Sequence, residues 1–337
     1  MPPNSNSDYS DPKLANRATP LRCETLLARI NPLLKGRQAV PSIECRIGCA
    51  GSSSELVLAP PFFTRLVAEA GLSQQQKRLF LAELASLDLA WIGDPLDPID
   101  AKPLEPNVEN APNRIASIHV DQPVDIDAIR NSAAIELQMF GVPFETLHNS
   151  RRSRWMPSLP IEILEFEQLA KKIEMLRSLT GKKCPIGAAM APGAVYEDVR
   201  FLVDSGVDFI TLLCQVQFGW SISNCISLAP LDSTIEQSVK AIKDSGAKTK
   251  LLVSGNLVDG QQMFRCLQLG ASAVSIDAFL AQSKPKEAVP VKETFGSVLS
   301  TYAPPTFSSS YTWLLPAVLQ LISELHDCAL YAGNFTK

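Results

Sequence analysis

Short apolar runs alternate with amphipathic segments along most of the chain. Residues 249–280 read as an apolar run, a turn, a helical pattern, Leu-Gly-Ala and a second apolar run. This order predicts a strand, a helix and another strand. Similar runs upstream predict strands at 115–120, 134–140, 185–190, 207–213, 250–254 and 273–276, and helices at 125–132, 161–179, 195–205, 234–245 and 260–269. About eight such units with right-handed crossovers predict a closed (β/α)8 TIM-type barrel, an α/β fold.

The first unit and the last helix are less regular. Residues 56–62 form an apolar run that ends in prolines, which favours a buried parallel strand. An amphipathic helix is predicted over 73–90, with Ser73 at its N-cap. Five prolines between 94 and 112 indicate a long loop, and a helix over 313–331 would cover the outside of the barrel.

Composition indicates one large globular domain with an N-terminal extension. The chain has 337 residues, of which 46% are hydrophobic, and its mean hydropathy is +0.06. Residues 1–21 are rich in Ser, Asn and Pro and have no periodicity, so we expect a disordered tail there. Residues 22–337 are expected to form a single barrel domain, because α/β barrels of this length are usually one domain.

The charge and hydropathy of the chain limit the classes of molecule that it is expected to bind. The net charge is −4 and the pI is near 5.6, and no long Lys/Arg run is present, so a nucleic-acid partner is not expected. No apolar stretch resembles a signal peptide or a membrane span. We therefore expect a cytoplasmic protein whose partner is a small-molecule ligand or another protein.

The cysteines and histidines do not predict a metal centre. The eight cysteines are dispersed, several within apolar strand or helix patterns, which is typical of buried free thiols in a reducing compartment. Cys45 and Cys49 are close in sequence, but no second Cys or His pair at metal-ligand spacing follows them. The expected metal content is therefore none.

In a barrel of this type the ligand lies at the C-terminal ends of the strands. Ser254, Gly255 and Asn256 follow a predicted strand and Gly260 opens the next helix, so backbone N–H groups could hold a phosphate there. Asp277 follows the last strand, and its carboxylate would repel a phosphate unless it points away. A purely structural role of Gly255 in the turn is an equal alternative.

Other residues could carry chemistry, each beside a simpler interpretation. An arginine-rich loop could clamp an anion or be a solvated loop. The period-2 pattern of a strand places Glu136 and Gln138 on the same face, and this face points into the barrel if Gln138 lines the pocket. Cys214 could be a nucleophile or a buried thiol, and each of two histidines a general base or a surface residue. The loop and histidine positions are Arg151, Arg152, Arg154, Trp155, His119 and His148.

Several segments resemble the FMN-binding barrel domain of glutamate synthase. Ala70-Gly71-Leu72-Ser73 is similar to a Gly-Ala-Leu-Ser segment of that family, and 134–143 is similar to its Glu-Ile-Lys strand with the following Gly-Ala-Lys-Pro-Gly. Residues 254–260 resemble Ser-Gly-Gly-x-x-x-Gly, and 269–271 match Leu-Gly-Ala. The resemblance implies a divergent single-domain member of the family that binds FMN and oxidises or reduces an amino or imino group. It places the cofactor-binding positions at Ser254, Gly255, Asn256, Asp277, Ala278, Gln138 and Ser73.

Most departures from the family pattern affect residues with a chemical role in that family. Gln138 and Ala189 stand where the family has lysines, Asn256 replaces a glycine, and Ala278 replaces an Arg or Thr. A reduced flavin carries negative charge and needs a nearby cation. Loss of both lysines therefore removes the main groups that would tune the electronic properties of the flavin. No cysteine cluster for an iron–sulfur centre follows the barrel, so no such cluster is expected, and no glutaminase domain is expected within the 337 residues.

Two functions therefore stay open. One is an FMN-dependent oxidoreductase with Ser254–Asn256 at the FMN phosphate. The other is a non-catalytic barrel that serves as a binding or regulatory protein or holds a different small ligand. The sequence also gives a hypothesis about the altered site: Asp277→Gly combined with Asn256→Gly should strengthen FMN phosphate binding if the pocket is otherwise intact.

Overall fold

The structure is a computed structural model, and it describes residues 44–49, 55–65, 74–87, 89–93, 113–118, 129, 132–139, 167–214, 230–283 and 314–335. Its strands in these ranges are β1 Cys45–Gly48, β2 Glu55–Leu58, β3 Phe62–Thr64, β4 Ala90–Gly93, β5 Arg114–Ile118, β6 Ala134–Gln138, β7 Ile186–Met190, β8 Phe209–Leu213, β9 Lys250–Ser254 and β10 Ala273–Ser275. Its helices are α1 Gln74–Ser86, α2 Glu167–Leu179, α3 Val195–Asp204, α4 Leu231–Ser245, α5 Gly260–Leu269, α6 Asp277–Ser283 and α7 Leu314–Phe335.

Eight of the described strands close into a barrel in the order β10-β3-β4-β5-β6-β7-β8-β9, and every neighbouring pair is parallel. The predicted (β/α)8 barrel is confirmed. The strands are nearly all buried because helices cover their outer face and side chains fill the interior, which is why their sequences are continuous apolar runs.

The predicted strand at 56–62 is wrong. Residues 55–58 form β2, which pairs with β1 as an antiparallel hairpin, and the first barrel strand is β3. The two segments are separated by Pro60 and Pro61, which lack the N–H that a continuous central strand requires. An apolar run does not distinguish a strand of the β1–β2 hairpin from a strand of the barrel, since both kinds of strand are buried.

The hairpin packs against the lower interior of the barrel. Ile47 and Leu58 belong to one buried apolar cluster with Phe63, Ile115 and Phe209 of the barrel strands. Within this layer Gly187 is required by close packing, because a Cβ there would lie 2.3 Å from the Phe209 ring. The N-terminal half of the barrel interior is therefore filled with apolar side chains, and ligand chemistry is restricted to the other end.

Two boundaries in the first half of the chain also differ from the prediction. Helix α1 ends at Ser86, whereas the predicted helix ran to Ala90, and residues 90–93 form the barrel strand β4. The sequence AWIG is too short for a clear periodicity. Helix α6 was not predicted, because its seven residues follow β10 directly.

The second half agrees with the prediction to within a few residues. Helices α3, α4 and α5 bury one face each, and α4 and α5 end at Gly246 and Gly270, both with positive φ. Helix α7 packs on α5. The predicted tail at 1–21, the loop at 94–112 and, apart from the buried Ile129 and Ser132, the helix at 125–132 lie outside the described residues.

Candidate functional site

A layer of buried polar side chains lies above the apolar layer, at the C-terminal ends of the barrel strands. Its members come from β3, β5, β6 and β10 and from the residues that directly follow β3 and β10, and they are linked by hydrogen bonds. We call this set the polar cluster: Thr64, Arg65, Ser117, Glu136, Gln138, Ser275 and Asp277. Its position is where ligands bind in barrels of this class.

An ion pair between Arg65 and Glu136 forms the centre of the polar cluster. One guanidinium nitrogen of Arg65 lies 2.8 Å from Glu136 Oε1 and 3.1 Å from Oε2, and the two side chains are 4% and 0% exposed. Ser117 also donates to Glu136. Glu136 therefore lies inside the barrel beside a cation, and this cation is the residue that follows β3, 71 positions away in sequence.

Asp277 points towards the end of β3. Its Oδ1 accepts hydrogen bonds from the Thr64 hydroxyl and from the Arg65 backbone N–H at 2.9 Å, and its Oδ2 accepts one from the Ser275 hydroxyl. Asp277 is therefore bonded within the protein, and its side chain closes the junction between β10 and β3. Of the two sequence alternatives, the structure favours the one in which this carboxylate points away from a phosphate.

Gln138 lies inside the barrel, as the period-2 pattern predicts. Its amide nitrogen donates to the Ser117 hydroxyl at 2.6 Å. In the sheet register Gln138 is opposite Ala189, and Ala189 is opposite Thr211. The two positions where the family pattern has lysines therefore lie side by side, and here they carry an amide and a methyl group.

Thr211 is a buried polar residue that the sequence analysis missed. It lies two residues beyond Phe209 and opposite Leu252, which both belong to the interior cluster, so it faces the barrel interior. The side chain is 0% exposed, and its hydroxyl has no hydrogen-bond partner in the part of the chain that the structure describes. The sequence does carry a signal for Thr211, because it is the polar residue of the otherwise apolar strand FITLL, which is β8.

The segment after β9 is closed by contacts within the protein. Ser254 and Gly255 are buried and Asn256 is exposed. A Cβ on Gly255 would lie 2.9 Å from the backbone carbonyl oxygen of Cys214, so glycine is required here for close backbone packing. The structural role of Gly255 is thus supported by an observed contact. Ala278, the other predicted cofactor residue on this side, is also buried.

The N-terminus of α5 carries two carboxylates of the protein itself. Asp259 is the N-cap and accepts from the Gln262 N–H, and Glu324 of α7 accepts from the Gly260 N–H at 2.9 Å. A Cβ on Gly260 would lie 2.6 Å from the Cβ of Glu324. Side-chain anions therefore satisfy two of the N–H groups at this helix N-terminus, those of Gly260 and Gln262.

These contacts test whether FMN fits the described residues. The phosphate would meet the carboxylates of Asp259 and Glu324 at the N-terminus of α5, where they already accept from backbone N–H groups, and nearby carboxylates repel a dianion. The flavin ring would lack both lysines, and the charge of Arg65 is compensated by Glu136. The described residues do not fit the phosphate or the reduced ring.

Cys214 is the buried thiol that the sequence favoured over a nucleophile. It is 3% exposed, and burial raises the pKa of its thiol to about 12. A thiol with such a pKa is almost entirely protonated at neutral pH, and the thiolate is the reactive form. Cys45 and Cys49 are also buried. In the described ranges no three His, Cys, Asp or Glu side chains are grouped as metal ligands.

Several predicted site residues lie outside the described residues: Ser73, His119, His148, Arg151, Arg152, Arg154 and Trp155. Their roles stay predictions. Conversely, sequence reasoning missed Thr64, Arg65 and Ser275, which have no motif of their own. A signal for Arg65 exists in retrospect, since it is a charged residue that directly follows an apolar strand.

A search against protein families and curated proteins gives two findings. The family model described as "Conserved region in glutamate synthase" matches residues 152–281. A glutamate synthase large subunit-like protein of Rhizobium meliloti (strain 1021) is 30% identical over 116 residues, which is 33% of this chain and 26% of the relative. The match thus spans about a quarter of the relative's length.

A comparison with solved structures agrees on the fold. A mandelate oxidase mutant with a monooxide FMN adduct superposes with a TM-score of 0.50 at 15% sequence identity, covering 86% of this chain and 80% of the oxidase. At this identity the likeness establishes the barrel architecture and does not extend to residues of the site. No described helix has the length and hydropathy to cross a membrane.

Proposed function

We propose that this chain, whose barrel belongs to the glutamate synthase family, no longer carries out the flavin chemistry of that family and acts as a binding protein for a small polar ligand. The ligand would bind at the C-terminal mouth of the barrel. The family relationship rests on the conserved region at 152–281 and on the closed parallel barrel. Because the fold alone does not determine function, the proposal is argued from the site.

The observation that carries the proposal is the neutralised cation of the polar cluster. A flavin oxidoreductase needs a positive group beside the ring to stabilise the negative charge of the reduced state. Arg65 is the described cation at this end of the barrel, and Glu136 holds it through both carboxylate oxygens. Gln138 and Ala189 supply no charge. The polar cluster therefore lacks the electrostatics of a redox site.

The arrangement at the phosphate end supports the same conclusion. The N–H groups at the α5 N-terminus donate to the carboxylates of Asp259 and Glu324. A phosphate at this helix end would have to displace these carboxylates and would be repelled by them. A ligand without a phosphate fits this mouth better than FMN does.

The second candidate is an FMN-dependent oxidoreductase that acts on an amino or imino group. The family match favours it, since residues 152–281 include β7 to α6 and thus the segments after β9 and β10 where FMN would be held. The solved neighbour shows that a barrel of this architecture can hold an FMN adduct. In this candidate the cation for the ring would have to come from residues outside those described.

The visible absorbance spectrum of the freshly purified full-length protein separates the two candidates. We expect no flavin bands and no FMN in the supernatant after acid denaturation, because the described site offers carboxylates in place of a phosphate cradle. Expression in riboflavin-supplemented medium controls for limited flavin supply. A stoichiometric flavin in the purified protein would reject the binding-protein proposal in favour of the oxidoreductase.

A further inference from the structure

We infer that Cys49 and Cys184 form a reversible disulfide bond that ties the β1–β2 hairpin to the barrel under oxidising conditions. Cys49 directly follows β1, and Cys184 precedes β7 by two positions. The pair therefore lies at the N-terminal end of the barrel strands, opposite the polar cluster. The inference goes beyond the proposed function and does not depend on it.

The two cysteines are in direct contact. The Cys49 thiol donates to the backbone carbonyl oxygen of Cys184, with 3.4 Å between sulfur and oxygen. The Cys184 thiol donates to the carbonyl oxygen of Ser132, also at 3.4 Å. Because the carbonyl oxygen and the Cβ of one residue are about 3 Å apart, the Cys49 sulfur lies within about 6.5 Å of the Cys184 Cβ. Rotation about the Cα–Cβ bonds of the two residues can close a gap of this size.

The alternation of β1 directs Cys49 towards the barrel. Cys45, Ile47 and Cys49 are buried, whereas Arg46 and Gly48 between them are exposed. Alternate residues of a strand lie on the same face, so these three share the face of the hairpin that packs on the barrel. Cys49 is thus held against the segment that leads into β7.

Arg177 makes Cys49 the more reactive thiol of the pair. Burial and the Asp208 carboxylate raise the pKa of the Cys49 thiol, and the Arg177 guanidinium lowers it through its charge and a hydrogen bond. Burial, Cys49 and Asp208 together raise the pKa of the Cys184 thiol to about 12. Because the thiolate is the reactive form, Cys49 attacks the oxidant and Cys184 completes the disulfide.

Hydrogen peroxide can supply the oxidising equivalents. The Cys49 thiolate attacks one peroxide oxygen, and the O–O bond breaks to give a sulfenic acid and a hydroxide that takes up a proton. The Cys184 thiol then attacks the sulfenic sulfur, so the S–S bond forms and a second water leaves. Two thiols are oxidised to one disulfide, and one peroxide is reduced to two waters.

Peptide mapping of the intact, fully reduced protein after exposure to hydrogen peroxide tests the inference. The tryptic peptides 47–65 and 184–200 contain one cysteine each, Cys49 and Cys184, and Cys45 falls in a different peptide. We expect the two peptides to be joined by a bond that dithiothreitol cleaves. Buried thiols react slowly, so a second sample is equilibrated with oxidised glutathione. Absence of the joined peptides from both samples, or Cys49 joined to Cys45 instead, would overturn the inference.

Thermal unfolding tests whether the bond fastens the hairpin. The bond would link residues 135 positions apart, so we expect the oxidised protein to have a Tm about 5 °C above that of the reduced protein. Cys49→Ser should abolish both the joined peptides and the Tm difference. Cys45→Ser is the matched control, a buried thiol on the same face of the same strand, and should retain both. An equal Tm difference in Cys49→Ser and the parent would refute the link.

Trapping with dimedone, which labels sulfenic acids, identifies the attacking sulfur. In the variant Cys184→Ser the sulfenic acid at Cys49 cannot condense with the second thiol, so Cys49 should take up the label. In Cys49→Ser we expect Cys184 to stay unlabelled, because its thiol is protonated at neutral pH. Labelling of Cys184 without labelling of Cys49 would contradict the role assigned to Arg177.

Discussion

Replacement of Arg65 by methionine is expected to lower the free energy of unfolding by about 3–5 kcal/mol. The substitution leaves Glu136, which is 0% exposed, as a buried carboxylate without the guanidinium group that contacts both of its oxygens. Removing one member of a buried ion pair is costly because the remaining charge stays desolvated. Urea denaturation followed by circular dichroism measures the change.

Two further variants show whether the charge is the cause. The double variant Arg65→Met with Glu136→Met should recover most of the lost stability, since it removes both members of the ion pair and leaves neither charge without its partner. Arg200→Met is the matched surface control: Arg200 pairs with Asp204, both side chains are 39% or more exposed, and the expected loss is below about 0.5 kcal/mol. A loss below about 1 kcal/mol for Arg65→Met would contradict a central role of the pair.

Replacement of Asp277 by alanine is expected to lower the free energy of unfolding by about 2–4 kcal/mol. The Thr64 hydroxyl, the Ser275 hydroxyl and the Arg65 backbone N–H all donate to this carboxylate in a buried site. Without it three donors lose an acceptor at once, and the junction of β10 with β3 loses its cross-link. Thermal and urea unfolding would both report the loss.

Asp277→Asn is the matched control, because its carbonyl oxygen still accepts and the two hydroxyls can reorient towards the amide. We expect a loss of about 1 kcal/mol for this variant. The same contacts bear on the hypothesis that Asp277→Gly with Asn256→Gly strengthens FMN binding. Since the Asp277 carboxylate is bonded to β3, we now expect that double variant to lose stability and to gain no FMN affinity. A gain in FMN affinity without a loss of stability would contradict the role assigned to Asp277.

The alternation of strands and helices made the barrel predictable, and the errors have identifiable physical causes. From Ala134 onward most predicted elements that the structure describes occur within a few residues of their expected ends. Residues 55–64 were not resolved into two strands because the β1–β2 hairpin and a barrel strand both bury apolar side chains. Strand β4 was missed because four residues carry too little periodicity.

Site residues were predictable only where their orientation follows from the sequence of a single strand. The inward orientation of Glu136 and Gln138 follows from the period of a strand, and the structure confirms that both lie in the interior. Their partners Arg65 and Ser117 come from other strands, and no local pattern connects residues 71 or 21 positions apart. The carboxylate of Glu324 at the N-terminus of α5 was equally hidden, since it depends on how α7 packs.

The most direct test of the account is a titration of the intact protein with FMN, followed by flavin fluorescence, with riboflavin as the matched ligand that lacks the phosphate. The account predicts no saturable change with FMN and no preference for FMN over riboflavin, because the carboxylates of Asp259 and Glu324 already accept from N–H groups at the N-terminus of α5. Saturable binding of FMN that is clearly tighter than that of riboflavin would show an intact phosphate cradle and contradict it.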